Sequence, residues 1–172
     1  MHESIHQVIL TCMELPLPYQ PWCPVCGDPG VNPQTLGIRF WIEPETGRVL
    51  SRFLLGRQHL GFPERVHGGL VIMLMDEAMA WACAVAARSF CTTGELRIKL
   101  KESVPPDREL VLVAEVVKVW GKLLRAQSQL CLAEAGCLAT ATASFAALPQ
   151  DESRALYRKL HVPPGSYNVL EP

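Results

Sequence analysis

The chain has 172 residues, of which 49% are hydrophobic and 19% charged, and its formal net charge is -1. That length suits one domain with a real core, and the composition excludes a disordered chain. With no Lys/Arg-rich run, nucleic acid is not expected as a partner, because its binding begins from a basic stripe.

Residues 1–35 hold six of the 14 prolines, at 16, 18, 21, 24, 29 and 33. Pro has no N–H and fixes its own φ, so this N-terminal arm is expected to be mostly irregular, apart from a short helix around Glu3 to Met13. Met1 to Leu15 lacks the basic start and sustained apolar run of a signal peptide. Seven cysteines (12, 23, 26, 83, 91, 131 and 137) form an odd set. Reduced thiols in the cytoplasm are therefore expected.

From Leu36 the pattern becomes strand-like, with Ile38, Phe40 and Ile42 alternating against Arg39, Trp41 and Glu43. Pro44-Glu45-Thr46-Gly47 supplies turn chemistry, and Arg48 to Leu55 reads as the returning strand. A loop over 56–65 leads into Val66-His67-Gly68-Gly69, and a long apolar helix follows, ending near Arg88. This helix is hydrophobic on every side except at Asp76-Glu77, and such helices are normally buried. Leu70 to Ala87 approaches the length of a membrane span, but an Asp at the centre of a span costs about 2.5–3.5 kcal/mol. A buried helix and no membrane span are expected.

Glu95 to Lys101 alternates cleanly, and Pro105-Pro106-Asp107 breaks the chain. Glu109 to Trp120 is apolar on both faces for much of its length, as a central strand should be. Gly121-Lys122 makes a tight hairpin into Leu123 to Ala133. Ala135-Gly136 turns again into Cys137 to Leu148. Ala139, Ala141 and Ala143 on one face of that last strand leave room for a helix lying close to the sheet. Strands and helices are segregated, which predicts an α+β fold with a largely antiparallel six-stranded sheet around one long apolar helix. One helix cannot cover both faces of such a sheet, so the fold should dimerise. The expected division is an arm over 1–35, the main domain over 36–148, and a tail over 149–172, with Asp151 to Leu160 helical.

The chemistry concentrates at the long helix. Carboxylates are almost never fully buried without a partner, so Asp76 and Glu77 call for an explanation. Gly68 and Gly69 let a group approach the exposed N–H donors at the positive end of the helix dipole. The layout is an anion- or carbonyl-binding helix end with a carboxylate about two turns further on. The plainer alternatives are a structural carboxylate paired with Arg88 or Lys99, and glycines serving only turn geometry. Trp22-Cys23-Pro24-Val25-Cys26 invites a thioredoxin-like reading, but Gly27, Pro29 and Gly30 forbid the helix that lowers the thiol pKa. A structural zinc site needs four ligands, and Cys12 and His6 would be needed to complete the set. Packed thiols, with no metal and no cofactor, are expected.

His67-Gly68-Gly69 followed by Asp76-Glu77-Ala78, with Asp76 nine positions after His67, resembles the signature of hotdog-fold thioesterases. The resemblance is to the phenylacetate-pathway and THEM-like acyl-CoA thioesterase group. Thr92-Thr93-Gly94-Glu95-Leu96-Arg97-Ile98 supports it, as does Cys23-Pro24-Val25-Cys26-Gly27 with Asn32-Pro33 and Leu36-Gly37-Ile38-Arg39-Phe40. The match runs over roughly 23–148. It implies a homodimer or dimer of dimers with active sites at the subunit boundary, hydrolysing acyl-CoA to free acid and CoA. By the same resemblance, the Gly68 N–H polarises the carbonyl, and Asp76 of the facing subunit acts as nucleophile or general base. Thr93 hydrogen-bonds in that pocket, and His67 and Gly69 line the turn. Glu77 lies about 100° around the helix and is expected at a subunit contact.

Two departures stand out. Relatives carry an Asn or Gln in the loop before His-Gly-Gly, where this chain has His59 to Arg65, leaving His59 or Glu64 for the role. The proline that follows the strand after Thr93 is shifted to Pro105-Pro106. The missing amide favours a second reading, a non-catalytic protein that binds acyl-CoA or a related acyl ligand. A hotdog dehydratase is a third, but its Asp/His pairing is not evident.

Overall fold

The computed structural model describes residues 13–133 and 136–171. The helix expected around Glu3 to Met13 falls almost wholly outside these residues, as do Cys12, His6 and part of the Ala135-Gly136 turn.

The elements in chain order are β1 (Leu15–Pro16), β2 (Trp41–Glu43), β3 (Arg48–Phe53), β4 (Leu60–Phe62), β5 (Arg65–Val66), α1 (Gly68–Ala87), β6 (Cys91–Leu100), β7 (Leu110–Trp120), β8 (Leu123–Leu132), β9 (Cys137–Ala147) and α2 (Gln150–Tyr157). Seven strands form one antiparallel sheet in the order β1-β2-β3-β7-β8-β9-β6, and β4 and β5 pair separately. The hotdog architecture is present with one strand more than the six expected. The extra strand is β1, two residues of the proline arm set against Trp41 and Ile42. No period can be read from two residues, and Pro is tolerated at a sheet edge because no neighbour needs its N–H.

Two strand boundaries differ from the sequence pattern for identifiable reasons. Residues 36–40 alternate like a strand, yet Leu36 N–H and Ile38 N–H donate to Pro24 O and Val25 O at 2.8 and 2.9 Å. Their partner is the arm rather than the sheet. β6 begins at Cys91 instead of Glu95 because the ladder with β9 slips between Thr93 and Glu95, leaving Gly94 as a bulge. A bulge breaks the two-residue period and turns the side chain before it to the opposite face.

α1 lies across the sheet with Leu74, Met75, Ala78, Met79 and Ala82 fully buried. The small side chains of Ala139, Ala141 and Ala143 on β9 belong to the same core and let the helix approach closely. α1 is long and apolar enough to cross a membrane, but half of that stretch is buried within this single chain. The helix ends at Arg88 in the left-handed conformation (φ 51°), with Arg88 N–H and Ser89 N–H closing onto Val85 O and Ala84 O.

Arm and tail meet on the domain. Tyr19 and His161 exchange backbone hydrogen bonds at 3.0 and 2.9 Å and stack their rings. α2 docks through buried Ser153, whose Oγ lies 2.7 Å from Ser89 Oγ and accepts from Phe90 N–H at 3.0 Å.

Candidate active site

The loop before α1 is shaped around His67. His67 N–H donates to His59 O at 2.9 Å, and Val66 N–H donates to Val104 O at 2.9 Å. Having reached the helix start, the His67 ring turns back as a cap: its Nδ1 accepts from Gly69 N–H at 3.0 Å. A Cβ on Gly69 would stand 2.9 Å from that ring, and one on Gly61 would stand 3.0 Å from His67 Cα. Both glycines are therefore needed for the ring to sit there. The cap also commits the Gly69 N–H, which had been a candidate substrate donor. Gly68 is left as the donor at the helix start, because the first N–H groups of a helix have no partner within it. A Cβ on Gly68 would meet Leu100 Cδ1 at 3.2 Å, so Leu100 lines the approach to that N–H.

Further along α1, Asp76 Oδ1 accepts a hydrogen bond from Thr93 Oγ1 at 3.0 Å. The Gly94 bulge makes this contact. Counting back in twos from Leu96 and Ile98, which pack on the core, Gly94 would occupy the helix-facing position. The extra residue puts Thr93 there instead. Half-burial pushes the Asp76 pKa up, and the Thr93 hydrogen bond pulls it partly back. Neither Arg88 nor Lys99 forms an ion pair with Asp76 among the described residues.

Gly68 and Asp76 do not meet. Eight residues of helix separate them, about 12 Å along the axis at 1.5 Å per residue. No single thioester carbonyl can touch both groups of one chain.

Glu77 is not where the sequence placed it. Rather than pointing to a subunit contact or lining a substrate, its Oε1 accepts from Cys26 Sγ at 3.1 Å, Cys23 Sγ at 3.6 Å and Trp81 Nε1 at 3.1 Å. One residue's rotation around the helix separates it from Asp76, and the arm covers that side. Burial drives the Glu77 pKa up, against the pull of its three donors. The Cys-x-x-Cys-Gly run was legible in the sequence, but its carboxylate partner, 51 residues from Cys26, was not.

The loop substitutes separate clearly. Glu64 is tied to Arg57 at 2.5 Å in an exposed ion pair, with a backbone φ of 58°, so it does not fill the absent amide's role. His59 stays beside the helix start, and its Nδ1 is buried without a hydrogen-bond partner among the described residues. A concavity of about 400 Å³ lies elsewhere, lined by Arg97, Trp120, Arg125 and Thr142, and it includes neither Gly68 nor Asp76.

The fold is that of a hotdog protein, and sequence comparison matches part of the chain to a family model. Residues 64–137, from the loop before α1 to the start of β9, match the model of the thioesterase superfamily. No curated protein matches the chain in sequence. A thioesterase superfamily protein of known structure superposes with a TM-score of 0.67 at 21% identity, over 73% of this chain and 60% of its own. This chain thus spans about 60% of the length of that relative. The Escherichia coli PaaI protein from the phenylacetic acid degradation operon gives a TM-score of 0.61 at 18% identity, over 66% of this chain and 81% of its own. A Streptococcus mutans protein bound to acetyl CoA gives 0.56 at 16% identity, over 60% and 82%. At these identities the structural likeness is one of fold.

Proposed function

We propose that the protein is an acyl-CoA thioesterase whose active site is completed by two copies of the chain. The Gly68 N–H of one copy polarises the thioester carbonyl, backed by the α1 dipole, and Asp76 of the other acts on water. The observation that carries this reading is the separation of about 12 Å between the two groups along one helix. Each needs a partner from elsewhere, and a two-fold axis that pairs antiparallel helices supplies one twice. β6 fits such an axis: it is a ten-residue strand at the open end of the sheet, exposed along most of its length and carrying no proline. An uncovered edge of that kind invites pairing with another chain. The half of α1 that one chain leaves unburied points the same way.

In this mechanism Asp76 takes a proton from water, and the water oxygen bonds to the carbonyl carbon. The carbonyl oxygen gains negative charge against the Gly68 N–H, a stabilisation of about 2.7–4 kcal/mol for one such donor. The C–S bond then breaks, and the proton passes from Asp76 to the CoA sulfur. Thr93 orients the carboxylate through its hydrogen bond. His67 acts by holding the turn, and His59 is the loop group placed to meet substrate. The acetyl CoA held by the Streptococcus mutans neighbour supports CoA as the carrier. The expected setting is the cytoplasm, with no cofactor.

Complementation between two variants tests the site directly. Gly68→Val crowds the donor and Asp76→Asn removes the base, so each variant alone should be inactive. Refolded together, half the dimers are mixed and each holds one intact site, which restores about a quarter of the wild-type activity. No recovery, with mixed dimers demonstrated, would sink the shared site. The missing loop amide favours a second reading, acyl-CoA binding without turnover. Micromolar binding of a hydrolysable acyl-CoA with no free CoA released would establish it.

A further inference from the structure

The thioester mechanism leaves Glu77 and the loop beneath it without a task. Cys23-Pro24-Val25-Cys26-Gly27 folds as a tight knuckle in which Val25 N–H and Cys26 N–H donate to Cys23 Sγ at 3.3 and 3.4 Å. Gly27 N–H closes it on Cys23 O at 3.0 Å. A Cβ on Gly27 would stand 2.3 Å from that oxygen and 2.8 Å from Pro21 O, so the turn requires glycine. Backbone donors aimed at a sulfur favour its thiolate. Glu77 reaches the same point from α1, held by Trp81 Nε1, and no Lys or Arg pairs with it among the described residues. The two sulfurs and the Glu77 oxygen all lie within 4.8 Å of one another.

We propose that Cys23, Cys26 and Glu77 bind one soft divalent cation of the zinc class, with water at the fourth corner. The dimensions fit such an ion. Zn–S of about 2.3 Å and Zn–O of about 2.1 Å at the tetrahedral angle give an S···O edge of about 3.6 Å. The Cys23–Glu77 distance of 3.6 Å matches that edge, and the Cys26–Glu77 distance of 3.1 Å falls about half an ångström short of it. The three atoms therefore form one face of a coordination tetrahedron, closed by shifts of a few tenths of an ångström. Thiolates select zinc over magnesium or calcium.

Charge and protons balance. Both thiols lose their protons to solvent on binding, and two thiolates, one carboxylate and the ion leave a net single negative charge. The Arg39 guanidinium stands behind the knuckle, donating to Cys26 O at 2.6 Å and Gly27 O at 3.1 Å. Cys23 is only partly buried, and Trp22 beside it is 70% exposed, so water can reach the fourth corner. A bound ion would cross-link the N-terminal arm to α1 at the residue after Asp76. The sequence argued against zinc because Cys12 and His6 would have been needed to complete four ligands. The fold provides the third ligand from the helix and leaves a solvent position for the fourth.

The test uses the full-length, fully reduced chain titrated with Co²⁺ and then Zn²⁺. One equivalent of Co²⁺ should produce a near-ultraviolet thiolate-to-cobalt charge-transfer band and the strong visible bands of a tetrahedral site, both erased by Zn²⁺. Cys23→Ser and Cys26→Ser should each lose the two-thiolate spectrum, while Cys83→Ser keeps it. Glu77→Gln should shift the visible bands and weaken binding by about tenfold or more, since even an outer partner of a ligand is worth 10–100-fold. Wild-type titration decides the matter even where a variant misfolds. Absence of the charge-transfer band with all thiols counted as reduced, or its survival in Cys23→Ser, overturns the proposal. So does a Glu77→Gln protein with unchanged spectrum and affinity.

Discussion

Asp76 and Glu77 are adjacent on one helix, carry the same functional group, and live in different surroundings. Asp76 faces the open edge strand, where it meets one neutral hydroxyl and stays half-exposed. Glu77 faces the arm, where two thiols and an indole N–H converge on one oxygen. The difference follows from helix geometry, since a step of about 100° carries one side chain to the sheet edge and the next beneath the arm. The lesson is that a pair of carboxylates need not be a catalytic pair. The one with spare acceptor capacity and access is free for chemistry. Its neighbour is consumed by its surroundings.

The sharpest way to break that division is to neutralise each acid in turn. Asp76→Asn should lower kcat on acyl-CoA substrates by about 10²–10⁴-fold, the usual worth of a general base, with the fold intact by circular dichroism. Glu77→Gln should leave kcat within about tenfold of wild type, because its carboxylate is turned to the arm and away from the proposed shared site. Equal losses from the two would erase the distinction.

The scaffold beneath both residues comes next. Leu74 is fully buried between them and the start of the helix. Leu74→Ala should cost about 2–5 kcal/mol in denaturant unfolding, by lost transfer energy plus the cavity left behind. A much smaller loss would mean that the helix repacks. Thr93→Val sharpens the Asp76 side alone. Losing one hydrogen bond of about 1 kcal/mol should cut kcat about fivefold without affecting Glu77's surroundings, and Thr93→Ser should recover most of it. At the bottom of the scale, Arg57→Ala breaks the exposed, solvent-screened pair with Glu64 and should change neither stability in denaturant unfolding nor turnover measurably. A large turnover loss there would return Glu64 to the site.

Much of this molecule was legible from periodicity. The apolar helix, the hairpin at Gly121, the central strand over Leu110–Trp120 and the alanine face of β9 all follow from repeats of two or 3.6 residues, which local sequence carries in full. The glycine entrance and Asp76 were legible as a chemical anomaly. Where a period was interrupted or too short, reading failed: Gly94 hid the first four residues of β6, and β1 offered only two residues.

What the sequence by itself determined is therefore the order of the elements, the buried helix and the acidic pair set along it. Only the tertiary structure decided which acid was spoken for and that Thr93 rather than Gly94 faces the helix. Both facts rest on contacts between residues far apart in the chain. A pattern of near neighbours does not record such contacts.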